Sequence, residues 1–139
     1  MDKNKFFSAW HSGIFINFKS TMTWETLLSR AYVPYSKQPD ACVVQGDKGG
    51  YYSGVRIENI SFPLTISAVQ AACCICLSFG EQPITIFLNK ESDPQLGFWK
   101  DEFNCETIIG NLTDEVHLTT YQSPYLTERK EMLKALLGD

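Results

Sequence analysis

Residues 65–80 read TISAVQAACCICLSFG, and no other stretch constrains the fold as strongly. From 64 to 79 the chain has the composition of a helix that is apolar almost all round, with Gly80 placed to stop it. Such a helix has no face suited to water and must be covered on several sides. It is too short to span a bilayer and it contains Ser, Thr and Gln, so its cover has to be protein. ITIFLN (84–89) follows at once, a continuous apolar run of the kind found in interior strands. A buried helix feeding a buried strand predicts a sheet with helices packed on it.

The remaining segments fill in that sheet. TWETLLSRAY (23–32) predicts a helix, with Thr23 as N-cap, Glu25 in the first turn, and Leu27, Leu28 and Ala31 at helical spacing. Pro34 ends it. ACVVQG and YYSGVRIE flank the turn sequence DKGG, so residues 41–57 read as a β-hairpin. A short helix is expected over roughly 95–103, then strands at ETIIG and EVHLTT. The closing SPYLTERKEMLKALL (123–137) reads as a helix with Ser123 as N-cap and Pro124 at its first position. Residues 1–22 are aromatic-rich, and GIFINF (13–18) reads either as a short strand or as a segment laid across a neighbour. The sum is a three-layer α/β/α sandwich, with a mixed sheet of about five strands and helices on both faces.

At 139 residues the chain is expected to be a single domain, 1–139, with 1–22 as an N-terminal extension of undetermined role. That length buries a real core without disulfides or a structural metal. The formal net charge of −4 and the lack of any basic run argue against a nucleic-acid partner, and no stretch suits a membrane. MDKNKFFSAW lacks the apolar core and small-residue cleavage site of a secretion signal, so the expected location is cytoplasmic. The five cysteines are then expected to be reduced and mostly buried.

Residues 31–72, AYVPYSKQPDACVVQGDKGGYYSGVRIENISFPLTISAVQAA, resemble cytidine deaminases. Members of that family carry P-Y-S before the first strand, a hairpin, then G-x-N-x-E-N-x-S running into a helix that begins C-A-E or H-A-E. Pro34-Tyr35-Ser36, Gly54, Glu58-Asn59, Ser61, Leu64-Thr65 and Ala68 fall here in that order and spacing. A weaker likeness continues through ITIFLN to EVHLTT, covering roughly residues 24–120 in all. The resemblance implies the family's fold and, for a typical member, a zinc-dependent hydrolytic deaminase acting on a nucleoside.

That chemistry has simple needs. One Cys or His and two Cys hold a Zn²⁺ that activates water, and a Glu that is not a ligand moves the protons, in the motifs H-x-E or C-x-E and P-C-x-x-C. Here the first motif reads Ser67-Ala68-Val69. The second falls at Pro94-Gln95-Leu96-Gly97-Phe98, with Gln95 and Phe98 in the cysteine positions, although the downstream Glu-Phe arrives about two residues early. A hydroxyl, an amide and a phenyl ring are not zinc ligands, and valine carries no proton. The expectation is therefore a degenerate member with neither catalytic residues nor zinc.

Other residues bear on replacement chemistry. Cys73 and Cys76 share a helix face and have the spacing for a metal or redox pair. Cys73 lies on the order of 9 Å along the helix from Ser67, however, and small core hydrophobes are the simpler reading. His11 and His117 read as surface or structural histidines. Ser67 reads as a helix cap rather than a nucleophile, since no His or Asp partner can be placed beside it.

In the family the Asn and Glu of N-x-E contact the ribose. Glu58 keeps the second position and Arg56 replaces the first, while Gln38 stands where an aromatic residue packs near the base. Strand alternation puts Arg56 and Glu58 on one face. Two readings follow: a modified sugar site in which Arg56 accepts a phosphate, or an ion pair that closes the old pocket. The expected ligand-binding set is Arg56, Glu58 and Gln38. The expected function is a non-enzymatic binding or regulatory module for a nucleoside- or nucleotide-like ligand. A deaminase or other hydrolase with a displaced site, and a purely structural oligomer-forming protein, are the alternatives. Homo-oligomers, dimers or tetramers, are expected from the family. The aromatic N-terminal residues (Phe6, Phe7, Trp10, Phe15, Phe18) supply either that contact surface or core packing within the chain.

Overall fold

The computed structural model describes residues 16–122 and 131–137. His11, the N-terminal aromatic residues up to Phe15 and the start of the closing helix lie outside the described residues. The chain divides into two compact units, residues 1–20 with 119–139, and residues 21–118. In the first, residues 131–136 are helical, as the closing segment predicts. The strand reading of GIFINF holds from Ile16, where β1 (Ile16–Thr23) begins; it pairs with β6 (Glu115–Gln122) in a two-stranded sheet.

The second unit carries the main sheet, in the order β3-β2-β4-β5. β2 (Ala41–Gly46) and β3 (Tyr51–Val55) form the predicted hairpin, with Gly49 at a φ of 90° that its turn requires. β4 (Pro83–Leu88) pairs antiparallel with β2, and β5 (Glu106–Ile109) pairs parallel with β4, so the sheet is mixed. A parallel neighbour needs a crossover, and helix α3 (Leu96–Phe103) supplies it. Asn104 in the left-handed region ends that helix. The EVHLTT strand thus joins β1 and leaves four strands in the main sheet.

Helix α2 (Ala68–Ser78) covers one face of the sheet. Its Ala68, Val69, Ala72, Cys73 and Cys76 are buried against strands that present Cys42, Val44, Ile86 and Leu88. The other face carries a cluster of Trp24, Leu27, Ala41, Val43, Val116 and Leu118, brought by helix α1 (Trp24–Leu28) and β6.

Two helices differ from expectation for one reason. α1 ends at Leu28 instead of running to Ala31, because Tyr32 is drawn into a bridge with Ile57. α2 begins at Ala68 instead of 64, because Ile66 bridges to the other side of Ile57 and a 3-10 turn occupies Phe62–Leu64. Backbone hydrogen bonds across strands outcompete one further turn at each helix end. α2 is also open on one side: Cys74 is exposed, and Ile75, Leu77 and Phe79 are 39%, 39% and 49% exposed.

Candidate functional site

Four segments meet at the head of α2: the turn at 34–37, the chain after β3, the helix start, and the loop between β4 and α3. The chain after β3 stays extended. Arg56 N–H donates to the Asp40 carbonyl at 2.9 Å, Tyr32 N–H to the Arg56 carbonyl at 2.9 Å, and Glu58 N–H to the Tyr32 carbonyl at 2.8 Å. These bonds lock the backbone that carries Arg56 and Glu58.

Their side chains do share a face, and they form an ion pair: Arg56 Nε donates to Glu58 Oε2 at 3.0 Å. Glu58 is buried, and its other partners come from the P-Y-S turn. Tyr35 N–H and Ser36 N–H each donate to Oε1 at 3.0 Å, and the Ser36 hydroxyl donates to Oε2. Four donors match the roughly four lone-pair sites that a carboxylate offers. The Ser36 hydroxyl above all, with the Ser36 amide, the Arg56 guanidinium and the Tyr35 amide, holds the carboxyl down at about 2. Glu58 therefore positions the turn and Arg56. The Arg56 guanidinium, a fifth exposed, hydrogen-bonds through Nε among the described residues, and its charge also acts on the Asp40 carboxyl. Gln38 is exposed, its backbone N–H donating to Ser36 Oγ at 3.1 Å.

A depressed carboxyl stabilises the fold above its unfolded value, near 4.5, and that contribution is lost as pH falls toward 2. We expect the 34–38 turn of the wild-type protein to loosen over that window. In Glu58→Gln it is expected to be looser already at neutral pH and to show little of this acid response. Amide exchange at Tyr35 and Ser36 between pH 5 and pH 2.5 checks this.

At the helix head Ser67 is a cap, as expected, its Oγ accepting the Gln70 N–H at 3.1 Å. The residue that the sequence reading missed is Asp93. It is buried, 6% exposed, and its Oδ2 accepts the Val69 N–H at 2.9 Å while Oδ1 accepts the Gln95 N–H at 2.8 Å. One signal in the sequence pointed to it. The Glu-Phe at 102–103 arrives two residues early for a motif beginning at Pro94, and sliding the motif back by two puts Asp93 and Leu96 in the cysteine positions. The pair first assigned there is not at this head: Gln95 stands at the start of α3 and Phe98 is 77% exposed.

The donors around α2 do not suit a zinc ion. Ser67 and both Asp93 oxygens are engaged by backbone amides, and Val69 offers nothing. Burial pushes the Cys73 and Cys76 thiols up to about 12, and burial with the nearby Cys73 sulfur, Asp93 and Asp40 pushes Cys42 well above its usual range. These three thiols stay protonated and behave as small core hydrophobes, whereas Cys74 faces outward. Among the described residues no three His, Cys, Asp or Glu side chains gather as a metal requires. Asp40 is buried too, its carboxyl raised first by burial and then by the Asp93 carboxylate. His117 lies elsewhere, its ring 6.0 Å from that of Tyr51.

The family profile described as "Cytidine and deoxycytidylate deaminase zinc-binding region" matches residues 19–87, a stretch that stops before Asp93. A cytidine deaminase of Mycoplasma genitalium is 33% identical over 60 residues, which span 43% of this chain and 45% of that protein. One from Mycoplasma pneumoniae is 38% identical over 48 residues, 34% of this chain and 35% of that protein. These matches thus span less than half the length of the curated relatives. Among solved structures, a cytidine deaminase from Mycobacterium tuberculosis superposes with a TM-score of 0.54 at 22% identity, over 64% of this chain and 79% of that one. A cytidine deaminase from Burkholderia pseudomallei does so with a TM-score of 0.53 at 16% identity, over 88% of this chain and 93% of that one.

Proposed function

From the premise that this chain belongs to the cytidine deaminase family, we propose that it is a catalytically degenerate member acting as a non-enzymatic binding module for a nucleotide-like ligand. The observation that carries this reading is the state of the two polar centres. The helix head is closed by Ser67 and Asp93 with Val69 beside them, whereas Arg56 is held through Nε by Glu58, its guanidinium making no other hydrogen bond among the described residues. A guanidinium oriented through Nε by a carboxylate is prepared for bidentate contact with an anion. Glu58, its lone pairs already used, is poorly suited to a sugar hydroxyl. That balance favours a phosphate-bearing ligand over a bare nucleoside, with the exposed Gln38 as a further contact.

Thermal shift of purified protein against nucleosides, nucleotides and bases tests the reading, because a ligand that binds only the folded state must stabilise it. A saturable rise with nucleotides and none with nucleosides is expected. No rise with any of them ends the binding reading. Measured release of ammonia from a nucleoside or base would instead favour a deaminase with a displaced site.

Self-association belongs to the same proposal. Ile57, Ile60, Phe62, Leu64 and Ile66 line an exposed strip beside Tyr32 and Tyr35; Ile60 is 83% and Phe62 76% exposed. Contiguous apolar surface of this kind marks an interaction site. The open side of α2 adds a second apolar face, and a second copy of this chain is the proposed occupant. Light scattering after gel filtration is expected to give a dimer or tetramer for the wild type. Ile60→Glu with Phe62→Glu is expected to give a monomer with unchanged far-UV circular dichroism. A monomeric wild type would remove the oligomer from the proposal.

A further inference from the structure

In a metal-binding member of this family one ion ties the start of the buried helix to the start of the next one, since the two motifs supply ligands from both. We propose that in this chain the Asp93 carboxylate has taken over that tie, so that the folded state is built around a carboxylate in place of a metal.

The geometry is that of a two-sided bridge. Oδ2 reaches across 24 residues of sequence to the Val69 N–H in the first turn of α2, and Oδ1 turns back onto the Gln95 N–H at the start of α3. The Asp93 carbonyl also accepts the Leu96 N–H at 3.3 Å, which fixes the loop against α3. The first turn of a buried helix exposes amides that water cannot reach, and each needs an acceptor. Ser67, the N-cap, spends its side-chain oxygen on Gln70, which leaves the Val69 N–H to another acceptor. Asp93, from another segment, fills that place, and a negative charge is favoured there because the helix dipole is positive at this end. Asp40 is the carboxyl that faces Asp93, and it bonds the neighbouring Ala41 N–H instead of the helix. The thiols facing Asp93 from β2 and α2, Cys42 and Cys73, are neutral and do not compete for those amides.

This inference rests on the family assignment and on the described contacts, and holds whether or not a ligand binds at Arg56. The test uses the full chain and three variants: Asp93→Ala, Asp93→Asn, and Glu91→Ala as an exposed control in the same loop. Elemental analysis is expected to find zinc far below one per chain, and a strong chelator to leave the melting temperature unchanged. Asp93→Ala is expected to melt about 5–10 °C lower than Glu91→Ala, with Asp93→Asn between them because an amide oxygen still accepts one N–H. Should Asp93→Ala fail to fold, Asp93→Asn and the chelator arm decide. Stoichiometric zinc whose removal lowers the melting temperature would overturn the inference. So would Asp93 variants that melt with the Glu91 control.

Discussion

Replacing Gly54 by valine is expected to prevent folding at 37 °C. A Cβ at this position would stand 2.3 Å from the Ala72 amide nitrogen and 2.6 Å from the Ala68 carbonyl oxygen, both backbone atoms of α2. Neither can move without lifting the helix from the hairpin, and the helix carries five buried residues, Ala68 to Cys76, in that contact. Overpacking in a core typically costs about 1–3 kcal/mol when side chains can give way. Here backbone must give way, so the cost is expected to exceed roughly 3 kcal/mol, a large part of the ~5–15 kcal/mol that stabilises a domain. Soluble yield and circular dichroism check this. Gly54→Ala is the milder probe, expected to lower the melting temperature by about 10 °C or more. A valine variant that folds with an unchanged melting temperature would mean that α2 does not sit on β3 as described.

The second large effect concerns Arg56. Under the binding proposal, Arg56→Ala is expected to weaken a nucleotide-like ligand by about 10- to 100-fold, the worth of a charge-assisted contact of ~1.5–3 kcal/mol. Stability without ligand should change little, since Glu58 keeps its three donors from Tyr35 and Ser36. Arg56→Lys separates charge from geometry. It keeps the positive charge but loses the fork, and is expected to fall between wild type and alanine. Titration calorimetry or ligand-induced melting shifts read all three. Equal affinity in wild type and Arg56→Ala would place the ligand elsewhere.

Ser67, Arg56 and Glu58 show how far the residues alone could be read. Ser67 sits one residue before a helix with its oxygen available, and a local rule suffices to make it a cap. Arg56 and Glu58 are two apart on extended chain, so period-two alternation was enough to bring them together. That Glu58 would be saturated by the P-Y-S turn was not readable. The turn lies 22 residues earlier, and only the Tyr32–Ile57 bridge lays the two segments side by side. That bridge shortened α1, and the Ile57–Ile66 bridge on the other side shortened α2, so helical propensity over 29–31 and 64–67 lost to backbone hydrogen bonds across strands.

The sequence by itself determined the hairpin, the buried helix, the interior strand after it and the family, because each depends on periodicity, turn chemistry or local spacing. Only the tertiary structure decided which acid serves the helix head. Asp93 in ESDP has the look of a solvated loop residue, and although the spacing to Glu102-Phe103 puts it in a motif position, nothing in its neighbours marks it for burial. It becomes a bridge because the fold brings the loop after β4 to the start of α2, where Ser67 serves Gln70 and leaves the Val69 amide to another acceptor. The demand for hydrogen-bond satisfaction in a buried place is local, but where the chain meets it depends on the whole fold.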